Sequence, residues 1–280
     1  MDNRRRPPRF ARHGAVTVTD LTEATVRLRA AGCVFAEDEA AVLGSAATDP
    51  AHLSELVDRR ALGEPLEQVV GFADFCGVRV RLRPGVFVPR VRSELLVHTA
   101  LGELGTPGKT VVDLCCGSGA LGLAVREKAP AIRLVAADSD PVAVACALDN
   151  LGRGVFQGDL FAALPEELRG HVDVLLANVP YVATDHLALL PAEARLHEPR
   201  TALDGGADGL DVFRAVVAGA ADWLAPGGLL LSEITEAQTE AAVAAVRAAG
   251  LSAGVVDDED LEARAVTGRW SELPAVTALR

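Results

Sequence analysis

The sequence predicts an α/β fold: a doubly wound, mostly parallel sheet, preceded by a small helical domain and a linking β-hairpin. Three observations predict it. Past Gly108 short apolar strands alternate with helical stretches, the pattern of a parallel sheet wrapped on both faces. The first of those strands, Val111-Val112-Asp113-Leu114, runs through Cys115-Cys116-Gly117-Ser118-Gly119 into a helix, and such a glycine turn lets a ligand approach the main chain. Before Gly108 the apolar residues first follow a helical period and then alternate with period two. At 280 residues, half of them apolar, the chain can bury a large core.

In chain order, residues 1 to about 16 carry no period. Arg4, Arg5, Arg6, Arg9 and Arg12 give them the composition of a mobile basic tail. From Thr19 the spacing turns helical, with Asp20 and Glu23 resembling a capping box and Gly32 as a stop. A second helix is predicted over 37–44, and a third from Pro50, a favoured first-turn residue, to Leu62. A short helix over 65–70 follows, and Phe75 to Leu82 then alternates as a β-hairpin. Pro84-Gly85 turns the chain, and Pro89 to Glu94 leads into a helix carrying Leu95, Leu96 and Leu101. Strands are predicted at 110–114, 132–137, 154–157, 172–177 and 228–234, with helices near 119–128, 141–150, 210–222 and 236–249. Segments at about 252–256 and 264–270 close the sheet as a hairpin.

Composition excludes several function classes. A formal charge of −12 argues against a nucleic-acid surface, which needs clustered Lys and Arg. No apolar run reaches the roughly 18 residues of a spanning helix, and the start lacks the apolar core of a signal peptide, so a cytoplasmic protein is expected. The five cysteines, at 33, 76, 115, 116 and 146, form no Cys-x-x-Cys pair, which fits a reducing compartment and buried thiols. None of the six histidines shows ligand spacing, and no metal is assigned.

Doubly wound sheets bind ligands beyond the carboxyl ends of their strands, where the winding reverses. The second strand ends at Asp138, 21 residues after Gly117, and a carboxylate there accepts both hydroxyls of a ribose. A nicotinamide dinucleotide would use the same acid, so Asp138 alone does not choose the cofactor. Asp113 places a negative charge beside the turn, repelling a pyrophosphate but offering a partner to the amino group of a methionine moiety. Gly158-Asp159-Leu160-Phe161 sets a carboxylate among apolar side chains, suited to the exocyclic amine and faces of an adenine. Together these favour S-adenosyl-L-methionine over the dinucleotide, with Asp113, Cys115, Cys116, Gly117, Ser118, Gly119, Asp138, Asp159, Leu160 and Asn178 as the binding residues. For Cys115 and Cys116 the expected contribution is the main-chain amide.

The fourth strand ends in Asn178-Val179-Pro180-Tyr181. At this motif the chain resembles the HemK/PrmC methyltransferases, which modify the side-chain amide of glutamine in peptide-chain release factors. The resemblance runs from about residue 20 to 272. It takes in Phe75 to Arg90, the Asp113 to Gly119 turn, Asp138, Asp159, Glu198-Pro199-Arg200-Thr201-Ala202-Leu203, Gly227-Gly228 and Glu233 in order. It implies a class I methyltransferase (Rossmann-like) fold, with an N-terminal helical substrate-binding domain at 18–72 after a disordered basic tail at 1–17. A β-hairpin linker at 73–92 and a methyltransferase domain at 93–280 complete it. The implied substrate is a protein such as a release factor. Two departures mark the chain as a PrmC-related paralogue: Val179 stands where the family has proline, and Arg92 reverses a charge in the hairpin exit.

The residues carry a chemistry of their own. An amide nitrogen is a poor nucleophile because its lone pair is shared with the carbonyl. If the Asn178 side-chain oxygen and the Val179 carbonyl each accept one amide hydrogen, the nitrogen is fixed in plane for in-line methyl transfer. Such positioning is worth on the order of 7–11 kcal/mol. Pro180 holds the residue before it extended, and Tyr181 can cover the planar amide. Asn178, Val179, Pro180 and Tyr181 are therefore the candidate catalytic residues, while Glu198 and Arg90 shape the pocket or pair structurally. The same geometry serves the exocyclic amine of adenine in DNA or RNA, and a cofactor-binding module without turnover would retain the same fold.

Overall fold

The structure is a computed structural model that describes residues 14–271. The expected tail at residues 1–13, with its five arginines, and residues 272–280 lie outside the described residues. The chain divides into two compact units, Met1–Val70 and Gly71–Arg280.

The first unit holds four helices, α1 (Val18–Ala30), α2 (Ala36–Ala46), α3 (Pro50–Ala61) and α4 (Leu66–Val70). Leu28, Leu43, Leu53, Leu56 and Val57 pack into its core, each worth about 1.5–3 kcal/mol on full burial. The capping box lies three residues before the expected one. The Thr17 hydroxyl accepts from the Asp20 amide at 3.3 Å, and the Asp20 carboxylate accepts from the Thr17 amide at 2.8 Å. Thr17 thus ends the irregular segment, and Val16 already packs on the core, so the expected tail does not extend through residues 16 and 17.

The second unit opens with a hairpin of β1 (Phe72–Phe75) and β2 (Val78–Arg81), antiparallel, with Phe75 opposite Val78. Its turn is Cys76-Gly77, both at positive φ. The hairpin read from 75–82 therefore contained β2 and the turn but missed most of β1. Gly71 and Asp74, both poor strand formers, hide it. After α5 (Glu94–Glu103) comes a seven-stranded sheet of β3 (Thr110–Leu114), β4 (Arg133–Asp138), β5 (Val155–Gln157), β6 (Val172–Ala177), β7 (Leu224–Glu233), β8 (Ser252–Asp258) and β9 (Ala263–Arg269). The strand order is β5-β4-β3-β6-β7-β9-β8. Strands β3 to β7 pair in parallel, and β9 is antiparallel to both β7 and β8. The winding reverses between β3 and β6.

The sheet is covered on both faces, which explains the continuous apolar runs of its central strands. Val111, Val174, Leu176, Leu229 and Leu231 face one cluster with α5 and α6 (Ala120–Lys128). Their neighbours Val112, Leu114, Leu175 and Leu230 face the other, with α9 (Asp211–Trp223) and α10 (Thr239–Ala248). Between these helices in the chain lie α7 (Pro141–Leu151) and the short α8 (Ala192–His197). No apolar period in the sequence marks α8. Strand β7 begins at Leu224, before the expected 228, because a register shift opposite Val172/Val174 absorbs Pro226 and Gly227.

Candidate active site

Leu114 pairs with Ala137 of β4 on one side and Ala177 of β6 on the other. One residue further along, Cys115, Asp138 and Asn178 leave the three central strands at the same level. The residues singled out from the sequence thus share the carboxyl edge of the sheet at its point of reversal.

Beneath the turn, Asp113 is fully buried. Its Oδ2 accepts from the Gly122 amide in the first turn of α6 at 2.9 Å, while Oδ1 is buried without a partner. Burial pushes this carboxyl up to about 7, against the lowering effect of the Gly122 amide. A Cβ at position 122 would meet Asp113 Oδ2 at 3.1 Å, so glycine allows the helix to cap the acid this closely. Asp138 accepts from the Gly117 amide at 2.8 Å and from the Asp140 amide at 2.9 Å, one to each oxygen. Burial raises its pKa too. Gly117 and Gly119 adopt φ of 56° and 76°, as the turn requires. Asn150, absent from the sequence reading, steadies the turn from α7. Its Nδ2 donates to the carbonyls of Ser118 and Arg81, both at 2.9 Å, and its Oδ1 accepts from the Arg81 amide at 2.8 Å.

One expectation for this region changes. The Cys116 amide donates to the Ala137 carbonyl at 3.0 Å, which removes it from the free donors. Its thiol, like that of Cys115, is no nucleophile: burial and the neighbouring acids push Cys115 up to about 12 and Cys116 well above its ordinary value. Phe161, two residues after Asp159, has a ring partner of its own. It stacks on Trp223 of α9 at 5.7 Å and 12°. Asp159 is exposed and Leu160 half-buried, and both remain candidates. Cys115 and Leu160, at φ of 57° and 44°, hold non-glycine residues in the left-handed region, a conformation costing on the order of 1–3 kcal/mol each.

The end of β6 is held by a network the sequence did not reveal. Glu233, at the end of β7 and 4% exposed, accepts from Ser93 Oγ at 2.6 Å and from Tyr181 Oη at 2.8 Å. Arg92 Nε lies 3.0 Å from the same carboxylate. Because Ser93 gives its only hydrogen to Glu233, its oxygen can only accept from Asn178, and Asn178 Nδ2 stands 3.0 Å away. That fixes the amide orientation and leaves Asn178 Oδ1 as a buried acceptor without a donor. Burial and the Glu233 charge raise the Tyr181 pKa, keeping it a neutral donor. The loop after Tyr181 is clamped to residues 203–209. Val182 N donates to Leu203 O at 3.0 Å, Gly205 N to Val182 O at 2.8 Å, and Gln238 Nε2 to Tyr181 O at 2.9 Å. A Cβ at Gly209 would strike Tyr181 O at 2.2 Å. Arg90 Nη2 reaches both oxygens of Glu198, at 2.7 and 2.8 Å, and the Val88 amide donates to the same buried carboxylate at 3.2 Å. This pair therefore fastens the hairpin exit to the loop before residue 200.

Residues 77–208 match the family described as methyltransferase small domain. The chain is 41% identical over 224 residues to a release factor glutamine methyltransferase of Cereibacter sphaeroides, covering 77% of each protein. It is 36% identical over 247 residues to a 4-amino-L-phenylalanine/4-methylamino-L-phenylalanine methyltransferase of Streptomyces pristinaespiralis, covering 85% of this chain and 84% of that protein. A solved methyltransferase structure from Pyrococcus furiosus superposes with a TM-score of 0.52 over 70% of this chain and 90% of that one. At 14% identity that likeness concerns the fold alone. With the strand order, it establishes the class I, Rossmann-like methyltransferase architecture. Among the described residues no helix is long and apolar enough to cross a membrane.

Proposed function

The chain belongs to the release factor glutamine methyltransferase family, and on that premise we propose that it transfers a methyl group from S-adenosyl-L-methionine to the side-chain amide nitrogen of a glutamine in a protein, such as a peptide-chain release factor. The observation that carries this reading is the buried, donorless Oδ1 of Asn178, held in one orientation by Ser93 and Glu233. A buried acceptor without a donor costs about 1–3 kcal/mol, and an incoming amide N–H removes that cost.

The residues fit the cofactor. Asp113 Oδ1 is a second buried oxygen without a partner, in a carboxyl pushed up to about 7, and a cationic amino group is the partner it needs. Each oxygen of Asp138 already accepts one main-chain N–H, which leaves a lone pair on each for a ribose hydroxyl. The turn at Cys115, Gly117, Ser118 and Gly119 lies between these acids, with Asp159 and Leu160 on the adenine side. When bound, the cofactor supplies an electrophilic methyl group on a sulfonium. Asn178 Oδ1 and the Val179 carbonyl would take the two amide hydrogens, hold the nitrogen in place with one face toward the methyl, and stabilise the positive charge that develops on nitrogen. Val179 acts through its main chain, so a side chain other than proline is compatible with the step. Tyr181, fixed by Glu233, limits the tilt of the amide. The helices of residues 18–72 serve, in this reading, to bind the protein substrate.

Asn178→Ala tests the assignment. Removing one such polar contact lowers kcat by roughly 10²–10³-fold, while cofactor affinity measured by calorimetry stays within a few-fold. Unchanged turnover on a glutamine-bearing release factor would refute the role.

A second reading has its own support. The match to the 4-amino-L-phenylalanine methyltransferase spans 85% of this chain, and Arg92 sets a half-exposed guanidinium 5.9 Å from the Tyr181 ring. In that reading the acceptor is the aromatic amine of a free amino acid and Arg92 meets its carboxylate. Side-by-side methylation of a release factor and of an arylamine amino acid separates the two, and Arg92→Ala, which also loosens Glu233, would impair the second more than the first.

A further inference from the structure

Away from the reaction centre, Cys76, Glu94 and His98 bring three ligand types together. Cys76 occupies the β1–β2 turn and is 6% exposed, with φ of 50°. Glu94 and His98 are four residues apart on α5 and so share one helix face. The Cys76 thiol lies 3.8 Å from His98 Nε2, and a thiol sulfur, a carboxylate oxygen and an imidazole nitrogen all lie within 4.8 Å of one another. We propose that these three side chains bind a zinc ion, with a fourth position left to water.

The geometry and the chemistry agree. Around tetrahedral zinc, with Zn–S near 2.3 Å and Zn–N near 2.0 Å, sulfur and nitrogen ligands stand about 3.5 Å apart, so the observed separation closes with a small side-chain adjustment. A thiolate with an imidazole selects zinc over magnesium or calcium. The Cys76 amide donates to Glu94 Oε1 at 2.9 Å, the kind of outer hydrogen bond that orients a carboxylate ligand. Lys128 Nζ, 2.9 Å from the sulfur, belongs to an exposed side chain. It is the cation that sits beside the sulfur without metal, and zinc displaces it as the thiol loses its proton. The spacing escapes a motif search because 17 residues, a strand among them, separate the cysteine from the helix. Glu94 directly follows Ser93, which accepts from Asn178, so the ion would tie the hairpin turn to the helix end that supports the reaction centre.

The test uses the full-length protein, stripped with a chelator, desalted, and reloaded with Zn²⁺ or Co²⁺. One zinc per chain by elemental analysis is expected, with a thiolate-to-metal charge-transfer band in the cobalt form. His98→Ala should weaken binding by on the order of 100-fold, and Cys76→Ser should abolish the band. Lys128→Ala should tighten binding by about tenfold, because a like charge is removed. No retained zinc in the wild-type protein, or an unchanged affinity and band in His98→Ala, would overturn the proposal. His98 is exposed on α5, so that variant decides the question even if Cys76→Ser does not fold, and its melting curve checks the fold.

Discussion

The two halves of the reaction centre solve opposite electrostatic problems. On the cofactor side, Asp113 and Asp138 are carboxylates whose hydrogen-bond donors are main-chain amides, and burial raises the pKa of both. On the acceptor side, Glu233 pairs with Arg92 and with two hydroxyls, and Glu198 pairs with Arg90. The first half buries two acids, and a cationic ligand favours their ionised form. The second is balanced by its own chain, and among the described residues its one buried side-chain acceptor without a donor is Asn178 Oδ1. In the proposed reaction one half binds and the other orients, so substitutions should separate into effects on affinity and effects on turnover.

Among the acidic groups, the substitution with the largest effect on this division is Asp113→Ala. Losing a buried charge-assisted contact of about 1.5–3 kcal/mol should weaken S-adenosylmethionine binding by up to about 100-fold, while turnover at saturating cofactor changes little. Calorimetry for binding and saturation kinetics for turnover check it, and a kcat loss without an affinity loss would merge the two halves. Glu233→Gln should do the reverse and less strongly. It keeps the shape but weakens the bonds that orient Ser93 and Tyr181, and a loss of about tenfold in kcat is expected with cofactor affinity unchanged.

The two halves also differed in how far the sequence revealed them. The cofactor side is nearly contiguous: Asp113, the glycine turn and Gly122 fall within ten residues, and Asp138 ends the next strand. Local spacing and strand order therefore place them. The acceptor side joins Ser93, Asn178, Tyr181 and Glu233 across 140 residues of chain, and only the sheet order, β3-β6-β7, brings them together. Asn178 and Tyr181 stood out because Asn-x-Pro-Tyr at a strand end is unusual. Ser93 and Glu233 carried no local sign of the hydrogen bonds they make, nor did Phe161 of its stacking on Trp223, 62 residues away. The helices and strands were legible where apolar periods were long. They were not legible at β1 and α8, where four and six residues leave no period to read.

The smallest effect is a pH dependence that belongs to the cofactor side alone. The Asp113 carboxyl is pushed up to about 7 from an ordinary value of 3.8, so between those limits the folded, cofactor-free protein holds a proton that the unfolded chain has released. Its stability therefore falls as pH rises through that window and levels off above about 7. Cofactor binding has the opposite sign, because the cationic amino group favours the ionised acid. Affinity should rise from pH 6.5 toward neutrality as the acid ionises, and fall again as the ligand's own α-amino group, with an ordinary pKa of about 7.7–8.0, loses its charge. Calorimetry in buffers of different ionisation enthalpy should detect proton release on binding near pH 6.5, and Asp113→Asn should remove both the slope and the release. The turnover of bound substrate should show no matching step near 7, because Asn178 has no titrating proton and Tyr181, its pKa raised, stays neutral throughout. A shared step in both profiles would mean that one charge governs binding and orientation together.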